Sequence, residues 1–200
     1  MPPRLFFHCY ETALGCCGIA WRAGEGQGAG DAIIVGSQLP EESAGATRDR
    51  MRARFPAARE LLAADEKIPA VVQHAVAGVR ALLAGEPRDL LEIELDDSAL
   101  PEFNRQVLAL TRRIPVGQTL SYGEVAARLG QPGAARAVGQ AEGHNPFAPI
   151  VPCHRVLPTP GSGSRGGFSA HGGLATKQRL LAIEARATGQ LGGEQGSLFG

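Results

Sequence analysis

The chain has 200 residues, 44% of them hydrophobic and 20% charged, with 20 Lys plus Arg against 20 Asp plus Glu. These proportions exclude collagen-like, disordered and disulfide-scaffold chains, and the length suits one large domain or two small ones. No run approaches the roughly 20 apolar residues of a membrane helix, and the opening MPPRLFFHCYE lacks the apolar core of a signal peptide. A cytoplasmic location without membrane attachment is therefore expected.

In chain order, the first third reads as short strands. Residues 5–10, 16–22 and 32–36 are apolar or mixed runs separated by 11–15 and by the Gly-rich stretch 24–30, which predicts a small antiparallel meander. Cys9, Cys16 and Cys17 fall within it. Adjacent cysteines lack the C-x₂₋₄-C spacing that lets two sulfurs converge on one zinc, so they read as reduced, buried strand residues and no metal is expected. Ser43 can cap a following helix on which Met51 and Phe55 share a face, while Arg48, Arg50, Arg52 and Arg54 read as a solvated face. Pro69 suits the first position of a second helix, with Gly85 as its stop signal. Leu91, Ile93 and Leu95 alternate with Glu92, Glu94 and Asp96, the pattern of a half-buried strand. The Asp96-Asp97 pair then marks a hinge.

Beyond it the period turns helical, with Phe103, Val107, Leu110 and Ile114 on one face. Ser121-Tyr122-Gly123-Glu124 is a capping box. The helix it starts should run to about Leu129, break at Gly130-Gln131-Pro132-Gly133 and restart over 134–141, the outline of a helix-turn-helix. Charge supports a polyanionic partner for this half: residues 98–186 hold ten basic residues against four acidic ones, whereas residues 1–97 hold ten against fifteen.

Residues 144–156 read HNPFAPIVPCHRV, with three prolines close before Cys153, which suggests a rigid, extended approach to one thiol. A neighbouring imidazole or positive charge makes a thiol a nucleophile by lowering its pKa; His154 and Arg155 supply both. A buried cysteine beside a surface histidine and arginine fits the spacing equally well. Glu184, in a helical stretch over 174–187, is the carboxylate available to orient the histidine.

These residues resemble the O6-alkylguanine-DNA alkyltransferases, the methylated-DNA:protein-cysteine methyltransferases. The resemblance is carried by Val151-Pro152-Cys153-His154-Arg155-Val156, preceded by Ala134-Ala135-Arg136-Ala137-Val138-Gly139 and Asn145-Pro146. It extends through Phe103, Ile114-Pro115-Val116-Gly117, Ser121-Tyr122, Gly172-Gly173-Leu174, Lys177 and Leu180-Leu181 to Glu184, about 85 residues in all.

The resemblance implies an α+β protein in two domains. Residues 1–97 would form an N-terminal antiparallel sheet with helices, ribonuclease-H-like, and 98–187 a winged-helix-like helical domain; residues 188–200 have the composition of a disordered tail. It implies a single-turnover chemistry without a cofactor: Cys153 takes an alkyl group from O6 of guanine in double-stranded DNA, once, as a monomer. His154, reached through a water and paired with Glu184, would receive the thiol proton. Tyr122 would help rotate the nucleotide out, Arg136 would fill the gap, Asn145 would brace the turn, the Cys153 and Val156 carbonyls would meet the guanine amino group, and Ser169 would belong to the lid. Flipping is required because the O6 carbon lies inside the base stack. A non-catalytic lesion-binding protein is the alternative, against which Cys153 argues. Three departures stand out: a longer, Gly-rich segment between Val156 and Gly172, Phe168 where a tyrosine is common, and Glu142 where the family often has a small or apolar residue. A carboxylate there would disfavour bulky apolar adducts if it faces the pocket. Accepted alkyl sizes and O4-alkylthymine stay open.

Overall fold

The structure is a computed structural model that describes residues 5–24, 32–62, 68–159, 161 and 166–190. Its first half is built on a four-stranded sheet of order β3-β2-β1-β4, from β1 (Leu5–Thr12), β2 (Gly15–Ala23), β3 (Ala32–Gln38) and β4 (Arg59–Glu60). β1, β2 and β3 form the expected antiparallel meander, but the short β4 joins β1 in parallel, so the sheet is mixed. Side chains alternate across β2 with the period of two that a strand imposes. Cys17, Ile19 and Trp21 pack toward α2 (Ala70–Ala84) with Val72, Val79 and Leu83, while Ala20 joins Phe7 and Met51 on the side of α1 (Ala44–Arg54). Burial on both faces is why β2 is apolar almost throughout. Cys16 and Cys17 are buried and Cys9 is half-buried, all as free thiols.

Helix boundaries follow their local chemistry. The Ser43 hydroxyl accepts from the Ala46 amide and caps α1. Pro69 stands just before α2, at its cap, and Gly85 closes that helix in the left-handed conformation a glycine adopts without strain. The arginines of α1 are not one solvated face. Arg48 and Arg52 pair with Glu60, and Arg54 is half-buried, donating to the carbonyls of Ser37 and Pro146 and to Gln38 Oε1.

The alternation over 91–95 does not produce a strand. Leu91 is exposed, and Leu95 makes a single bridge to Ile34 at the edge of β3. The reason lies in Arg112, whose Nη2 donates to the carbonyls of Leu90, Leu91 and Ile93. Carbonyls gathered about one guanidinium belong to a turning chain, and Leu90 takes a positive φ of 54° within it.

In the second half α3 (Glu102–Thr111), α4 (Tyr122–Arg128) and α5 (Ala135–Gly143) enclose Val107, Ile114, Leu120, Val125, Val138 and Val156. α3 ends at Thr111, so Ile114 packs from the turn that follows. The capping box is complete: the Glu124 amide donates to Ser121 Oγ and the Ser121 amide to Glu124 Oε2. Just ahead of α4, β5 (Leu120–Ser121) pairs in parallel with β6 (Val156–Leu157), which fixes the start of the helix-turn-helix against the chain leaving Cys153. α6 (Leu174–Ala187) closes the fold, and no described helix is long and apolar enough to cross a membrane. Residues 191–200 of the expected tail lie outside the described residues.

The two halves meet at β3. The Ser37 amide donates to the Pro146 carbonyl at 2.9 Å, and its hydroxyl to the Ala148 carbonyl at 2.8 Å. Gly36 makes this approach possible: a Cβ there would lie 2.5 Å from the Phe55 ring and 3.3 Å from the Pro146 carbonyl oxygen. Gly36→Ala should therefore lower the unfolding free energy by about 1–3 kcal/mol through overpacking. Urea denaturation measures this, and an unchanged midpoint would contradict the tight junction.

Candidate active site

Cys153 lies in a single 3₁₀ turn, Cys153–Arg155, between a loop and β6. The proline-rich approach to it is a compact turn, not an extended run. Asn145 Oδ1 accepts from the Phe147 amide and Asn145 Nδ2 donates to the Val151 carbonyl, which also takes the Cys153 amide at 2.9 Å. One asparagine thus fixes the loop across its base, while β3 holds its flank. The prolines restrict the backbone but do not extend it, because side-chain bonds to Asn145 bend the chain back on itself.

The 3₁₀ turn projects its side chains apart. His154 is buried and its Nε2 lies 2.8 Å from Glu184 Oε1. Arg155 points away from the thiol: Nε and Nη2 donate to the Glu184 carboxylate at 2.9–3.1 Å, and Nη1 to Asp89 Oδ1 and the Ile114 carbonyl. Arg155 is thus an internal clamp and neither a surface residue nor a charge beside Cys153. Asp89 and Glu184 also receive the Val116 and Gly117 amides, so the loop through Ile114-Pro115-Val116-Gly117 hangs from the same network. Nothing in the sequence singled out Asp89, which acts at long range from a loop.

Burial opposes ionisation of Glu184, but the hydrogen bonds and charges of His154 and Arg155 outweigh it and hold the carboxyl down at about 2. Burial pushes His154 below its ordinary value against the pull of Glu184. The residue is therefore neutral, with its Nε2 proton donated to Glu184. Nδ1 is left as the acceptor, buried and without a partner among the described residues. Cys153 shows the opposite of the expected activation. Burial, aided by Glu142, pushes the thiol up to about 12 against the weaker pull of Asn145 and Lys177. The resting sulfur is a thiol, so a base must take its proton during any reaction.

A cavity of about 630 Å³ opens over Cys153. Tyr122 enters from the first turn of α4, Arg136, Gly139 and Glu142 from α5, and Phe168 and Ser169 from the segment before α6. Arg136 is exposed near the start of α5, where a helix-turn-helix meets its partner. Of the residues singled out from sequence, Cys153, Tyr122, Arg136 and Ser169 share this wall. His154 and Glu184 lie behind it, and Asn145 supports the turn from a neighbouring recess that Ser169 also borders. The Val156 carbonyl accepts from Lys177 Nζ at 2.6 Å, which leaves it one lone pair for a further donor. Lys177 Nζ also lies 3.5 Å from the Tyr122 hydroxyl and the Gly167 carbonyl and faces the rings of Tyr122 and Phe168. Seven residues separate it from Glu184, two helical turns, so one face of α6 serves both the cavity and the base. Of the Gly-rich segment, residues 160 and 162–165 lie outside the described residues.

Glu142 is buried on the cavity side of α5. Thr111 Oγ1 donates to its Oε1, while Oε2 is buried with no partner among the described residues. Burial raises it to about 7 despite Thr111 and Lys177.

Comparison with known proteins bears on this geometry. Residues 102–186 match the profile of the 6-O-methylguanine DNA methyltransferase, DNA binding domain. The methylated-DNA–protein-cysteine methyltransferase of Mycolicibacterium paratuberculosis is 49% identical over 118 residues, 59% of this chain and 68% of that protein. Its namesake in Mycobacterium tuberculosis H37Rv is 45% identical over 116 residues, 58% of this chain and 67% of the relative. The crystal structure of Mycobacterium tuberculosis OGT in complex with DNA superposes with a TM-score of 0.65 at 31% identity, over 91% of this chain and 94% of that one. The O6-methylguanine-DNA methyltransferase of Pyrococcus kodakaraensis shares the fold, with a TM-score of 0.60 at 22% identity over 90% and 98% of the chains.

The raised value at Glu142 has a direct consequence for stability. The folded protein holds this proton more tightly than the unfolded chain, whose carboxyl titrates near 4.5. Below that pH both states are protonated and nothing is lost. As pH rises to about 7 the unfolded chain releases the proton first, and stability falls by on the order of 3 kcal/mol in total. Glu142→Gln keeps an oxygen for Thr111 and cannot titrate. Relative to the native protein, its stability should therefore rise between about pH 4.5 and pH 8, as read from urea unfolding at the two values. A constant difference would contradict the buried, protonated carboxyl.

Proposed function

The chain belongs to the methylated-DNA–protein-cysteine methyltransferase family, and from that premise we propose that Cys153 removes alkyl groups from O6 of guanine in double-stranded DNA. As a member of the family the protein binds DNA and repairs it by moving an alkyl group onto a cysteine of its own, which is consumed in a single turnover. The observation that carries the assignment to Cys153 is its place at the cavity below the helix-turn-helix, ahead of a buried His154–Glu184 couple.

The proposed chemistry follows from the protonation states. As the sulfur attacks the alkyl carbon, a water relays the thiol proton to His154 Nδ1, the nitrogen that the bond to Glu184 leaves free to accept and that has no partner among the described residues. The carbon–O6 bond breaks as the sulfur–carbon bond forms, its electron pair stays on O6, and guanine regains one proton from the Tyr122 hydroxyl, which recovers one from the imidazolium through solvent. Tyr122 is a neutral phenol, raised by burial and by Glu142 and Cys153, and it donates toward the departing O6. Glu184 stabilises the imidazolium that appears as the proton arrives. A thiol kept near 12 gives the protein little thiolate at rest and little side reaction with solvent electrophiles. Asn145 holds the turn, the Cys153 and Val156 carbonyls meet the guanine amino group, and Ser169 completes the lid.

Two outcomes test the reading. Mixing the protein with a duplex holding one O6-methylguanine should add one methyl, about 14 Da, to Cys153 and stop at one per molecule, as intact mass and peptide mapping read. Cys153→Ser should abolish the gain while DNA binding persists. A methyl on Cys9, Cys16 or Cys17 instead would displace the assignment.

Arg136 is assigned to the gap left by the flipped nucleotide. Lys keeps the charge but lacks the planar fork that stacks against the orphaned base. Arg136→Lys should therefore slow single-turnover transfer at least about tenfold with little change in the salt dependence of binding. A silent Arg136→Lys would make this residue a phosphate contact.

A further inference from the structure

Glu142 stands out among the residues around the cavity because its chemistry is not used by the transfer itself. It lines the same cavity as Cys153, from the helix that carries Arg136. Its Oε1 is fixed by Thr111 of α3, and its Oε2 is buried without a partner among the described residues. The charged and titratable groups that face it are Tyr122 on α4, Cys153 on the 3₁₀ turn and Lys177 on α6. Lys177 makes its closest bond to the Val156 carbonyl and reaches toward Tyr122 and Gly167, so it forms no ion pair with Glu142. The carboxyl is therefore an unmet hydrogen-bonding group beside the reacting sulfur.

We propose that Glu142 selects among alkyl groups, favouring chains that bring a hydrogen-bond donor into the cavity over apolar chains of the same size. The proposal rests on the assignment of Cys153 as acceptor. An apolar chain laid against Glu142 leaves Oε2 buried and without a partner, and gives nothing in return. A chain ending in a hydroxyl offers its O–H to Oε2 and its oxygen to a carboxyl proton. A site with an unpaired buried polar group discriminates most strongly against the analogue that leaves it unpaired. Around neutrality both roles are available, because burial keeps the group partly protonated. A methyl group is too short to enter this discrimination.

The test uses duplexes carrying O6-(2-hydroxyethyl)guanine or O6-n-propylguanine, whose chains have equal numbers of heavy atoms, with O6-methylguanine as reference. The full chain should transfer hydroxyethyl about tenfold faster than propyl in single-turnover assays. Glu142→Met should erase or invert that ratio, and Glu142→Gln, which retains an acceptor oxygen, should keep it. Equal or faster transfer of propyl by the native protein overturns the proposal without recourse to any variant, as does a ratio unchanged in a folded Glu142→Met. Failure to transfer even the methyl group would instead overturn the assignment of Cys153, so the two failures are distinct.

Discussion

Arg155 is a guanidinium almost wholly withdrawn from water, and the organisation of the site depends on how that charge is satisfied. Glu184 takes its fork, Asp89 and the Ile114 carbonyl take its other edge, and the same two carboxylates hold the Val116 and Gly117 amides. A buried pair is weak evidence for stability, since desolvation offsets attraction, yet breaking one partner leaves an uncompensated charge. What the network supplies is position. It ties a loop of the first half, the turn after α3, the 3₁₀ turn and α6 to one point. His154 is hung from that point by its Nε2 proton, so the histidine can present only Nδ1 toward the thiol side.

The same burial that orders the network sets the electrostatics of the thiol. Cys153 is not poised as a thiolate, and the carboxylate of Glu142 raises it further. Reactivity must then be acquired with the substrate in place, when proton loss, attack and departure of guanine are coupled. This arrangement suits a residue that is spent after one reaction, because a standing thiolate would be lost to other electrophiles. Lys177 moderates the effect of Glu142 while gripping the Val156 carbonyl, and so connects the floor of the cavity with the segment that covers it.

Much of this was legible in the sequence where local chemistry decides. The strands of the meander, the capped helices and the capping box all reflect rules acting within a few residues. Residue type alone suggested Glu184 as the partner of His154, and only the resemblance paired them, since 30 residues separate the two. The failures share a cause. Leu91–Leu95 has strand alternation, but Arg112 gathers its carbonyls; Arg54 and Arg155 look like surface charge, but distant carbonyls and carboxylates take them inside. The prolines before Cys153 suggested extension, but Asn145 closes the loop. For the arginines a long-range hydrogen bond overrides a local pattern, and a single sequence carries no mark of it; at Asn145 the overriding bonds span six residues and two.

The seating of the active turn on β3 also bears on the sheet itself. An open sheet ends in unpaired amides and carbonyls that can template a second chain. Here one edge is occupied by Leu95 and Asp96 and by the Pro146 carbonyl received from the turn. At the other, β4 is only two residues long, the Leu61 amide takes the Phe7 carbonyl, and Arg80 takes that of Glu11. A repair protein that is used up once per lesion has capacity only in proportion to its copy number. With one edge occupied and the other only two residues long, the sheet offers little for strand-to-strand pairing between copies, so the contact that seats the active turn also protects the edge of β3.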